Sequence, residues 1–138
     1  MSGAELAMAP HMVAVFALRH RVFVGEQQVP EELERDELDA VSDHAVVLVD
    51  GQVVATGRLL PDGTIGRMAV QREHRGSGLG AAVLGRLEER ARERGLDRVE
   101  LHAQTHALGF YERSGWVAFG EPYDEAGIAH RSMAKDLG

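Results

Sequence analysis

The chain has 138 residues, no cysteine and a formal charge of −7 with histidine neutral. That length fits one compact domain over residues 1–138. The missing cysteine excludes disulfides, thiolate metal sites and a cysteine nucleophile, and the acidic balance argues against a nucleic-acid partner and mildly favours cationic ones.

No apolar run is long enough to cross a bilayer, and Met1 to Pro10 carries no basic cluster of the kind a signal peptide needs. A cytoplasmic protein with no membrane partner is expected. Apolar residues at Met12, Val15, Phe16, Leu18, Val22 and Phe23 predict a helix from Pro10 to Val24. Val29 to Val41 is dense in acids (Glu31, Glu32, Glu34, Asp36, Glu37, Asp39) and reads as a solvated loop with room for a short helix. His44 to Val49 is β-rich and ends in Asp50-Gly51, a hairpin signal. Gln52 to Leu60 returns, Pro61-Asp62-Gly63 turns again, and Thr64 to Val70 completes an antiparallel meander.

Beyond Gly80 the period changes. Leu79, Val83, Leu87 and Ala91 repeat at helical spacing, and Gly95 supplies a left-handed cap. Arg98 to Ala103 is a strand. A short helix starts at Thr105 or His106 and ends at Gly115. Trp116 to Phe119 and Ile128 to Ala134 form a last strand pair, which leaves Tyr123 in a loop. The order α, β, β, β, α, β, α, β, β predicts an α/β fold with a mixed, mostly antiparallel sheet and flanking helices.

The segment richest in chemistry is Arg75-Gly76-Ser77-Gly78-Leu79-Gly80-Ala81, between a strand and a strongly amphipathic helix. Three glycines in five residues let backbone approach a ligand closely. Free N–H groups at the positive end of a helix dipole favour an anion such as a pyrophosphate, and Arg75 adds a fixed positive charge. The same run satisfies the dinucleotide fingerprint, with Glu100 placed to hold a ribose. Against a dinucleotide, several polar residues separate strand from loop, only one βα unit exists, and the upstream hairpins do not suit a doubly wound parallel sheet. No H-E-x-x-H supports a metal site and no G-x-S-x-G a serine hydrolase.

Arg75-x-x-Gly78-x-Gly80 resembles the R/Q-x-x-G-x-G/A signature of the GCN5-related N-acetyltransferases (GNAT). Leu101 to Ala107 followed by Phe110-Tyr111-Glu112-Arg113-Ser114-Gly115-Trp116 is similar to the strand and helix of that family's second block, with Trp116 in place of the usual Phe. Leu18-Arg19-x-x-Val22-Phe23-Val24-x-Glu26-Gln27, then Glu34-x-Asp36-x-x-Asp39, resembles the ElaA-like branch. The family opens with a strand, whereas Ser2-Gly3-Ala4-Glu5 is a poor one, so the first strand is expected to be short or absent.

The resemblance implies a splayed strand pair holding acetyl-CoA, and transfer of its acetyl group to a primary amine of a small molecule or peptide. Met68, Ala69 and Val70 match the strand that meets the pantetheine arm. Arg75 to Gly80 with Ala81 match the pyrophosphate loop, Gln104 an arm contact, and Tyr111 the proton donor to the departing thiolate. Glu26, Asp36, Glu100 and His102 are candidate bases, and Glu100 and His102 share a strand face. Arg19, Glu26, Gln27, Asp36 and Arg67 are candidate acceptor contacts; Arg67 would meet an acidic group, whereas an acidic wall from Glu31 to Asp39 would favour a cationic amine. A homodimer is common among such enzymes. The contrasting function is a non-catalytic acyl-CoA sensor.

Overall fold

The structure is a computed structural model that describes residues 3–138. Seven strands form one sheet in the order β1-β2-β3-β4-β5-β7-β6. They are β1 (Ala4–Leu6), β2 (Asp43–Val49), β3 (Gln52–Leu59), β4 (Thr64–Val70), β5 (Arg98–Gln104), β6 (Val117–Glu125) and β7 (Ile128–Asp136). Every neighbouring pair is antiparallel except β4–β5. The opening strand is present but only three residues long, held by pairing with β2 from Ala4↔Val47 to Leu6↔Ala45. Ser2 lies outside the described residues.

Helices cover both faces. Helix α1 (Met12–Arg19) packs Val15 and Leu18 with Val22 on one face, against Val46, Val53 and Ala69. Helix α3 (Leu79–Glu93) packs Val83, Leu84, Leu87 and Ala91 on the other, against β2, β3 and β5. Because both faces are covered, β2 and β3 read as continuous apolar runs rather than alternating ones. The predicted first helix is not one regular element: after α1 it widens into a π-helix over His20–Glu26, with the Gln27 N–H reaching the Val22 carbonyl at 3.0 Å. Such widening re-aims the residues that follow, here Glu26 and Gln27.

The acidic segment folds as α2 (Glu31–Glu34) and a 3₁₀ turn over Glu37–Val41. The last helix, α4 (Leu108–Glu112), follows a 3₁₀ turn at Thr105–Ala107. Strand β6 runs past Phe119 to Glu125, so Tyr123 lies on a strand instead of in a loop. Pro122 is tolerated there because β6 is the sheet edge. Beneath α4, Trp116 is buried, its indole N–H donating to Glu88, whose other oxygen takes Lys135 Nζ at 2.7 Å.

Candidate active site

Strands β4 and β5 are paired only at Thr64↔Glu100 and Ile65↔Leu101, and then they part. The cause is a bulge in β4: the register against β3 shifts between Thr56↔Ala69 and Arg58↔Gly66, and Arg67 takes φ +51°. The facing residue is glycine for a steric reason. A Cβ on Gly57 would stand 2.5 Å from Met68 Sδ and 2.8 Å from Val83 Cγ1. Two cavities meet along the split, one of about 670 Å³ on the Arg67 side and one of about 350 Å³ at the glycine loop, with Met68 lining both.

The loop cavity is walled by Val70, Arg75, Gly76, Gly78, Gly80, Ala81 and Phe110. Gly76 and Gly78 have φ +82° and +85°, and an added Cβ at either would meet nothing within 4 Å. These glycines therefore serve a backbone conformation and open space, as a phosphate cradle at the start of α3 requires. Arg75 is fixed there: its Nε donates to the Val70 carbonyl at 2.9 Å and its Nη2 lies 2.8 Å from Glu26. The Gln71 N–H goes to Val54 on β3, so alternation along β4 turns the N–H groups of Met68 and Val70 away from β3 and into the split. Ala69 faces the α1 layer instead. The set fits a pyrophosphate with an extended arm: a cation, an open backbone nest and two strand N–H groups in line.

In the larger cleft, Tyr111 and Phe110 divide as adjacent aromatics must. Phe110 turns to the loop, 3.3 Å from where a Gly80 Cβ would be, and Tyr111 lines the cleft. Burial pushes the Tyr111 hydroxyl up to about 12, which keeps it a proton donor. At the cleft mouth, Gln104 Nε2 donates to Gln27 Oε1 at 2.7 Å. His102 stands just past the last β4–β5 pair; its Nδ1 is hydrogen-bonded to the Tyr123 hydroxyl, and the Tyr123 ring stacks on His130. The Ile128 carbonyl, 2.7 Å from His130 Nδ1, can only accept, so that nitrogen carries the proton.

The acidic run is only half solvated: Glu31, Glu32 and Glu37 are exposed, but Glu34, Asp36 and Asp39 turn inward. Arg19 is fully buried and forks onto Glu34 at 2.6 and 3.0 Å and onto Asp39 at 2.7 and 3.3 Å. Arg58 forks onto Asp36 at 2.8 and 3.0 Å and reaches Asp39 at 2.8 Å. Arg19 thus has no surface to offer an acceptor, and Asp36 is an ion-pair partner more than a free base. Glu26 stands at the glycine loop beside Arg75. Glu100 pairs with Arg98 on its own exposed face. Sequence reasoning missed Arg58, His130 and the placing of Tyr123; a lone arginine inside the apolar run Val53 to Leu60 was the available signal, since arginine is buried only when paired.

The acetyltransferase (GNAT) domain model matches residues 7–137. The chain belongs to the GNAT family. It is 39% identical over 125 residues to the uncharacterized N-acetyltransferase YjcF of Bacillus subtilis (strain 168), covering 88% of this chain and 89% of that one. It is 30% identical over 141 residues to protein ElaA of Escherichia coli (strain K12), covering 96% and 92%, which places this GNAT protein in the ElaA-like branch. An acyl-CoA N-acyltransferase from Pseudomonas aeruginosa superposes with a TM-score of 0.86 at 34% identity, over 98% of this chain and 99% of that one. This GNAT protein is accordingly an acyl-CoA-dependent N-acyltransferase, and the dinucleotide alternative falls. None of its helices among the described residues is long and apolar enough to cross a membrane.

Proposed function

We propose that the enzyme transfers acetyl from acetyl-CoA directly to a primary amine, with the arm along Met68 to Val70 and the pyrophosphate on Arg75 to Ala81. The observation that carries this is the β4–β5 split, with a glycine cradle at one end and Tyr111 inside the other. Acetyl-CoA supplies an activated acyl carbon and a thiolate leaving group. The Met68 N–H, turned into the split, serves as the donor to the carbonyl oxygen as it gains charge. Tyr111 gives its proton to the sulfur, and its burial keeps that proton in place at neutral pH. His102, held by Tyr123 at the crotch of the split, takes the amine proton directly or through water.

Calorimetric titration with acetyl-CoA, with NAD as control, tests the donor. Binding of acetyl-CoA alone, followed by thiol release with an amine, supports the reading. Binding without turnover for any amine would make the protein an acyl-CoA sensor. Binding of NAD alone would overturn both.

A further inference from the structure

Glu34 and Arg58 of the cleft are committed to ion pairs with Arg19, Asp36 and Asp39, but a second cleft arginine is not. Arg67 is held by neutral groups: its Nε donates to the Glu34 carbonyl at 3.0 Å and its Nη2 to the Leu33 carbonyl at 3.2 Å. Its one carboxylate contact, Asp36 at 3.5 Å, is to an oxygen that Arg58 already holds at 3.0 Å. Arg67 Nη1 makes no hydrogen bond among the described residues, and the side chain keeps 29% of its surface exposed while lining the cleft. The bulge that opens the split also fixes the Arg67 backbone, so the guanidinium is a pre-oriented cation rather than a mobile surface arginine.

Resting on the N-acyltransferase reading above, we infer that the acceptor is an amine that also carries a carboxylate, and that Arg67 binds this carboxylate beside the reacting thioester. With Nε and Nη2 taken by carbonyls, Nη1 is the donor left for a carboxylate, and a charge-assisted hydrogen bond of this kind is a strong one. The charged groups facing Arg67 are Arg58 and Arg19 as well as Asp36 and Glu34. Burial and those two arginines pull Arg67 below the usual arginine value, which marks a position still short of negative charge. The remaining cleft carboxylates are elsewhere: Asp62 accepts the Thr64 N–H, and Glu125 is next to His130. The inward carboxylates of the Glu31 to Asp39 run, Glu34, Asp36 and Asp39, are taken by Arg19 and Arg58 and are not offered to a cationic amine.

The test uses matched probes with acetyl-CoA: L-phenylalanine against 2-phenylethylamine, and L-leucine against 3-methylbutylamine. A thiol reagent reads released CoA without background, because the chain has no cysteine. The expected result is kcat/KM at least about tenfold higher for the carboxylate-bearing member of a pair, a ratio that falls to about one in Arg67→Gln and is kept only in part in Arg67→Lys, which retains the charge but not the planar fork. Equal or better turnover of the plain amines overturns the inference and leaves N-acetyl transfer standing. So does a loss in Arg67→Gln that is the same for both members, since that is a folding effect. Acetyl-CoA binding with no turnover of any of the four probes overturns the inference and leaves the N-acyltransferase function, which a wider amine screen tests.

Discussion

The Glu26 carboxylate stands 2.8 Å from Arg75 Nη2, so the loop's cation carries a counter-ion before any phosphate arrives. Glu26→Gln is expected to tighten acetyl-CoA binding. Both side chains are part-exposed, so the pair is worth at most about 1 kcal/mol, or up to about fivefold in Kd. Arg75→Ala should weaken binding by a comparable or larger factor. Calorimetry on the two variants decides it. A hundredfold fall in kcat at unchanged affinity for Glu26→Gln would instead assign Glu26 to proton abstraction.

Tyr111→Phe should lower kcat by about 10²–10⁴, the range for a lost general acid, and change acetyl-CoA affinity little. The same residue leaves a stability signature. An unfolded tyrosine ionises near 10, and burial holds Tyr111 at about 12. Its contribution is complete below about pH 10 and is lost as pH rises to about 12, by roughly 2–3 kcal/mol at most. Urea midpoints measured from pH 8 to 11.5 should fall more steeply for the native protein than for Tyr111→Phe.

Asp39 sets the acid limb. Burial pushes its carboxyl up, but hydrogen bonds from Arg19, the Asp36 N–H and Arg58 outweigh this and bring it to about 2. Its stabilisation is present above an unfolded value near 3.8 and drains as pH drops towards 2, on the order of 2 kcal/mol. Arg19→Met, which strands the buried Glu34 without its cation and leaves Asp39 with Arg58 alone, should cost about 3–5 kcal/mol. Chemical denaturation at pH 7 checks the second figure, and a pH series between 5 and 2 the first.

Gly57→Ala tests the origin of the split. The new methyl would press on Met68, Val83 and Leu87, and overpacking of this kind costs about 1–3 kcal/mol. Met68 has the most freedom to yield, and it lines both cavities. The variant should therefore lose acetyl-CoA affinity as well as stability. A variant with lowered Tm and unchanged Kd would show that Met68 does not shape the arm's path.

What could be read from the chain was whatever rests on neighbours in sequence. The strand, glycine loop and α3 follow from local period, positive-φ glycines and a helix start, so the geometry of that loop was visible residue by residue. The buried arginines were not. Arg19 and Glu34 are fifteen residues apart, and Arg58 and Asp36 twenty-two, and only the fold shows that Glu34, Asp36 and Asp39 face inward while Glu31, Glu32 and Glu37 do not. The same holds for β1, which three residues of weak propensity form only because β2 offers an edge. Tyr123 follows Gly120 and Pro122, which suggest a turn. Pairing with β7, Tyr123↔His130, continues the strand through a register shift.

The chain holds a single tryptophan, and the fold has put it within sight of the chemistry. Trp116 is sealed from solvent under α4, with its ring 6.3 Å edge-on from Tyr111. Any occupant that shifts Tyr111 changes the electric field at one indole, with no second tryptophan to dilute the signal. The protein thus contains its own optical probe, and unlabelled stopped-flow fluorescence can time each arrival and departure at the cleft.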